Sequence, residues 1–160
     1  MGRRGFTLIE LIVVIAIISI LTVIAVYGFN YMKTNAYNST ALYDLKNLID
    51  DELSYYAIHQ KYVGFRVEDI TARGIVKIGD FEHRYVSKGV RAVSKVSSIG
   101  DYANFCTKDK LGDLIYGYQT ETGLIYYRKS SKGYLLQNSD CPDATENDDF
   151  VGWKVLSQKK

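Results

Sequence analysis

The sequence predicts an α+β protein in which one long N-terminal α-helix packs against a C-terminal antiparallel β-sheet. Three observations carry this. From Leu11 to Met32 the 160-residue chain holds no charged residue. From Asn35 to Gln60 it holds neither Gly nor Pro, and apolar residues recur at helical spacing. Beyond Gly64 the apolar runs shorten and alternate with polar turns, which suits strands.

The charge-free run of 22 residues, at about 1.5 Å each, makes a helix of roughly 33 Å, close to the thickness of a bilayer hydrocarbon core. A cleaved secretory signal is the competing reading. Its apolar region is about 7–15 residues long and ends at a small-residue site, and no A-x-A pattern closes this run before Tyr27. Arg3 and Arg4 before the span, against Lys33 after it, favour a cytoplasmic N-terminus. Downstream, Ala41, Leu42, Leu45, Leu48, Ile49, Leu53 and Tyr56 form one stripe, while Asp44, Lys46, Asp50 and Asp51 fall largely elsewhere. A single helix from about Phe6 to about Ile58 follows, with residues 6–32 apolar all round and 33–60 amphipathic.

Residues 61–160 are expected to form a β-rich domain. "LIYGYQTETGLIYYRK" reads as a β-hairpin. "GVRAVSKVS", "YLLQ" and "WKVL" are further candidate strands. The connections are too short for helical crossovers, so the sheet should be antiparallel, with the amphipathic half of the helix covering its apolar face.

Twenty Lys and Arg against eighteen Asp and Glu leave a net charge of +2, which does not point to nucleic acid. Arg84, Lys88, Arg91 and Lys95 are explained as charges on the open face of a sheet. No phosphate-binding glycine loop and no C-x-x-C occurs, and the only histidines, His59 and His83, lack ligand clusters, so neither enzyme activity nor a cofactor is expected. Asp140, Asp143, Glu146, Asp148 and Asp149 gather in a short run without the spacing of a calcium loop; a solvated charge run is the simpler reading. Asn38-Ser39-Thr40 matches the N-glycosylation acceptor pattern. The fourteen tyrosines raise charge transport along stacked rings, although core and strand packing use the same residues.

Cys106 and Cys141 lie in the portion that would face an oxidising compartment, which favours one disulfide over two free thiols. Such a bond would contribute on the order of 4 kcal/mol through loop closure.

One residue contradicts its surroundings. Glu10 sits at the head of the apolar run, where a carboxylate costs roughly 2.5–3.5 kcal/mol at mid-bilayer and calls for a partner. "RRGFTLIELIVVIAII" resembles the N-terminus of type IV pilins and of type II secretion pseudopilins. The resemblance is strong from Arg3 to Val26 and looser through "LYDLKNLIDDELSYYAIHQKYVG". It implies a ladle-shaped pilin fold with a five-residue leader, residues 1–5. Prepilin peptidase would cut between Gly5 and Phe6, with N-methylation of the new Phe6 amine. It further implies filament assembly through Phe6 and Glu10, the amine of an incoming subunit meeting the carboxylate of a neighbour. An acid and an amine, each costly alone in an apolar bundle, offset one another when paired. The implied partners are further copies of the chain, prepilin peptidase, the inner-membrane assembly machinery and, before assembly, the membrane itself. The leading expectation is a major pilin, first in the inner membrane and then in an extracellular pilus. A pseudopilin, or a minor or DNA-uptake pilin acting in adhesion or DNA binding, are the alternatives. Tyr27 and Ser19 stand where many relatives have a helix-kinking Pro and a Gly, so the helix is expected to run without a kink.

Overall fold

The computed structural model describes residues 6–156. Helix α1 spans Leu8–His59, matching the expected extent, and passes Ser19, Tyr27 and Gly28 without interruption. The chain divides into two compact units, one ending at Asn35 and the other beginning at Ala36.

The described part of the first unit is helix from Leu8 onward. Its side chains from Phe6 to Met32 are exposed throughout, so none of this apolar surface is buried by the described residues. The two hydroxyls within the run are satisfied locally: Ser19 donates to the Ile15 carbonyl and Thr22 to that of Ile18, each at 2.7 Å. Bonds of this kind let a polar side chain tolerate an apolar solvent.

The second unit is the α+β part. After α1 come a short hairpin, β1 (Val76–Ile78) and β2 (Phe81–His83), and then five strands: β3 (Val90–Val96), β4 (Ala103–Asp109), β5 (Leu114–Gln119), β6 (Leu124–Lys129) and β7 (Lys154–Val155). These five form one antiparallel sheet in chain order. The helical stripe of Ala41, Leu45 and Leu48 packs with Ala92, Phe105 and Tyr116 on one face, as expected. Side chains alternate across strands, so the neighbours Val93, Cys106 and Ile115 point the other way.

That other face is not open. Leu136, Cys141 and Phe150 from the C-terminal segment join Val93, Cys106, Ile115 and Tyr126 in a second core. The expected strand "YLLQ" is part of this cover rather than of the sheet: Leu136 is buried, and its carbonyl accepts a hydrogen bond from the Arg91 guanidinium at 3.3 Å. The reading of Arg91 and Lys95 as charges on an open sheet face is corrected by the same cover, since Lys95 pairs with Asp143 at 2.6 Å. Gly117 on β5 shows how closely the layers meet. A Cβ there would fall 2.1 Å from a Phe150 ring carbon. Gly117→Ala should therefore cost about 1–3 kcal/mol by overpacking, read as a lowered urea midpoint, and a further Phe150→Leu change should recover part of it.

Polar side chains fasten α1 to the domain. The Asp44 carboxylate accepts the Ser87 N–H at 2.7 Å and its hydroxyl at 2.9 Å. Asp51 meets the buried His83 ring at 2.6 Å, and Thr107 donates to the Ala41 carbonyl at 2.8 Å. Asn38 is also buried: its amide donates to Asp113 at 2.7 Å, and its oxygen accepts the N–H groups of Asp113 and Leu114. An amide so engaged is closed to a glycosyl donor, which removes the glycosylation reading at this residue.

Candidate assembly site

Of the expected site residues, Gly5 lies outside the described residues, while Phe6 and Glu10 fall at the exposed head of α1. The local structure is a capping box. Thr7 stands just before the first helical residue, and its backbone N–H and hydroxyl both donate to Glu10 Oε2, at 2.8 and 2.7 Å. The Glu10 N–H reaches back to the Thr7 hydroxyl oxygen at 3.4 Å. This arrangement satisfies donors that a helix start otherwise leaves open, and it places a carboxylate at the positive end of the helix dipole.

Thr7 is therefore the intrachain partner of Glu10, and sequence reasoning missed it. The signal was present: T-x-x-E immediately before an apolar run is the capping-box pattern. The box also has a consequence for a second partner. Both Thr7 bonds end on Oε2, so among the described residues Oε1 can accept a further donor without dismantling the helix cap.

Apart from Thr7, the described residues around this carboxylate are apolar and exposed, from Phe6, Leu8, Ile9 and Leu11 through Ile12, Val13 and Val14. The helix is long and apolar enough to cross a membrane. An anionic group on such a surface is oriented and poorly solvated once lipid or other helices cover it, and the strongest remedy is a cation with N–H donors.

The other two expected residues are joined. Cys106 and Cys141 form a disulfide with a Cα–Cα distance of 5.6 Å and a sequence separation of 35. Cys106 comes from β4, the second of the five strands, and Cys141 from the C-terminal cover, so the bond ties the cover to the sheet.

The acidic run is dispersed rather than convergent. Asp140 takes Arg128 at 2.7 Å, Asp143 takes Lys95, and Asp149 accepts Thr145 and the Asn104 amide, the latter at 2.8 Å. Among the described residues no three acidic, His or Cys side chains gather as metal ligands do. His59 stacks on Tyr55 at the helix end, with ring centroids 4.1 Å apart.

A family model, the prokaryotic N-terminal methylation motif, matches residues 1–26. It is the prepilin-peptidase type of signal, and it covers Arg3, Arg4, Phe6, Glu10 and most of the apolar run. No curated protein matches the chain.

Proposed function

We propose that this chain is the structural subunit, the major pilin, of an extracellular type IV pilus, made as a membrane-anchored precursor and polymerised through its N-terminal helix. The observation that carries the reading is the methylation motif at residues 1–26, which runs into a helix whose side chains from Leu8 to Met32 are exposed. Cleavage after Gly5 would free an amine on Phe6, four residues from the Glu10 carboxylate. In a parallel bundle the amine of one subunit then reaches the Glu10 Oε1 of the next. The pair fixes one register among otherwise featureless apolar contacts, the best-attested use of a buried charge pair. Loss of Arg3 and Arg4 with the leader leaves 18 basic side chains (20 minus 2) against 18 acidic ones, so crowding many copies accumulates little net repulsion. The disulfide favours a pilin over a secretion pseudopilin, because a covalently fastened cover suits a surface exposed outside the cell.

The test is mass spectrometry of protein sheared from the cell surface, beside a Glu10→Ala strain. Wild-type protein should begin at methylated Phe6, and Glu10→Ala protein should be processed yet stay in the membrane fraction, with surface yield down at least about tenfold for loss of a charge pair. An intact leader on sheared protein, or normal surface display of Glu10→Ala, would refute the reading.

A further inference from the structure

We propose that the end of the globular unit bearing Lys110, Lys129 and Lys132 docks on anionic lipid headgroups while the chain is membrane-anchored. This rests on the anchored-precursor reading above.

The three lysines are brought together by the backbone. The turn after β4 and the loop after β6 are bonded to each other, Gly133 N–H to the Lys110 carbonyl at 2.7 Å and Ser130 N–H to that of Asp113 at 2.8 Å. Lys129 lies beside them at the end of β6, opposite Leu114. All three are exposed, and none takes part in the ion pairs among the described residues. Three carboxylates lie nearby: Asp109 is buried and accepts the Leu111 N–H, Asp113 accepts the Asn38 amide, and Asp140 holds Arg128. Lys108, Lys110, Arg128, Lys129 and Lys132 against these three leave an excess of two positive charges here, in a protein of almost balanced charge.

The same end exposes apolar and amphipathic side chains. Leu111, beside Lys110, is 46% exposed, and Tyr134, two residues after Lys132, is 39% exposed. Lysines around a projecting Leu and a Tyr are the chemistry of a membrane interface, where the cations meet phosphates and the ring settles at headgroup level. The turn is held ready for this. Buried Lys108 donates to the carbonyls of Asp109 and Gly112, both at 2.9 Å, so presenting Leu111 needs no further ordering.

Chain length bounds how far this end can lie from the bilayer. Asn38, which bonds Asp113 and Leu114, follows Met32, the last residue of the apolar run, by only six positions. Six residues span at most about 20 Å fully extended and about 9 Å as helix. The basic cluster is thereby confined to the neighbourhood of the headgroups. Each lysine at an anionic leaflet shifts such an equilibrium by about fivefold. On this proposal extraction from the membrane requires release of these contacts, so lipid charge influences how easily a subunit leaves for the filament.

The full chain, reconstituted in vesicles of phosphatidylcholine alone or with about one-third phosphatidylglycerol, is labelled by reductive methylation and each lysine's rate read by mass spectrometry. Lys110, Lys129 and Lys132 should react at least about fivefold more slowly in the anionic vesicles, Lys77 and Lys88 should not change, and about 0.5 M salt should remove the difference. In a Lys110→Gln/Lys132→Gln variant, Lys129 should lose most of its protection. Equal rates in both vesicles, with the chain still floating with the lipid, would overturn the docking and leave the anchor intact. Failure to float with either vesicle would remove the anchored reading and the docking with it. Protection that is independent of lipid charge and grows with protein density would place a second copy on the cluster, through its cleft bearing Asp50, Asp51 and Glu82, and would overturn the lipid contact.

Discussion

Glu52→Gln should stabilise the globular unit by about 4 kcal/mol near pH 8 and by almost nothing near pH 4. Glu52 is fully buried under the segment that leaves α1. The Val63 N–H donates to its Oε2 at 3.0 Å and Oε1 has no partner among the described residues, the Ser94 hydroxyl donating instead to the Val63 carbonyl at 2.7 Å. Burial, reinforced by the neighbouring Asp51 carboxylate, pushes its pKa from 4.5 up to about 8. In the unfolded chain the group ionises near its ordinary value. Below that value both states are protonated and the residue costs nothing. Between it and about pH 8 the unfolded state releases a proton that the folded state keeps, so stability falls as pH rises, and above about pH 8 the cost is constant. Glutamine keeps the acceptor for Val63 and supplies an N–H₂ donor toward Ser94, without a charge to desolvate. Urea unfolding of the detergent-solubilised chain across this range measures the effect. Parallel pH profiles for wild type and variant would show that Glu52 titrates normally.

The helix was legible because its signals are local and repeated. A charge-free run long enough for a bilayer, followed by Ala41, Leu45, Leu48 and their neighbours in a stripe, leaves few alternatives, and α1 at Leu8–His59 agrees with that reading. The β5–β6 hairpin was legible for the same reason, since its apolar runs are adjacent and separated by a turn. Strand β4 was not. "ANFCTKD" is buried at every position although more than half of it is polar, and sequence periodicity cannot separate such a strand from a loop. Its polar residues are satisfied by distant partners: Asn104 by Asp149 and the carbonyls of Pro142 and Asp143, Thr107 by Ala41, Lys108 by Gly112. Those partners lie from four to 66 residues away, and no local pattern announces them. At the N-terminus Glu10 was visible as a misfit in composition, whereas Thr7 required the capping pattern to be read as well. The second core was hidden because "YLLQ" has the composition of a strand, and only the tertiary structure turns it into a cover.

Removal of the disulfide should detach that cover while sparing α1 and the first core. A Cys106→Ser/Cys141→Ser variant should lose about 3–4 kcal/mol, the loop-closure contribution of a bond between residues separated by 35 positions. The loss should be local in structure. Leu136, Cys141 and Phe150 bury Val93, Ile115 and Tyr126, and besides the disulfide the cover is held by side-chain packing, by the Asn104 amide, and by bonds from Arg91, Lys95 and Arg128. The helical face packs independently through Leu45, Leu48 and Phe105. Trp153, the only tryptophan, reports directly on the cover, because its ring meets Phe150 edge-on at 5.0 Å and lies under the Arg128 guanidinium at 4.9 Å. Reduction or double substitution should therefore shift Trp153 emission to the red and raise its access to a neutral quencher, with helical circular dichroism unchanged. In a filament exposed to the outside, a cover that loosens would uncover Tyr126 and Phe150, now stacked at 4.8 Å, and give proteases a route into the sheet. If Trp153 emission stays the same on reduction, the packing of Phe150 against Tyr126 is sufficient to hold the cover, and the bond's role is confined to the unfolded chain.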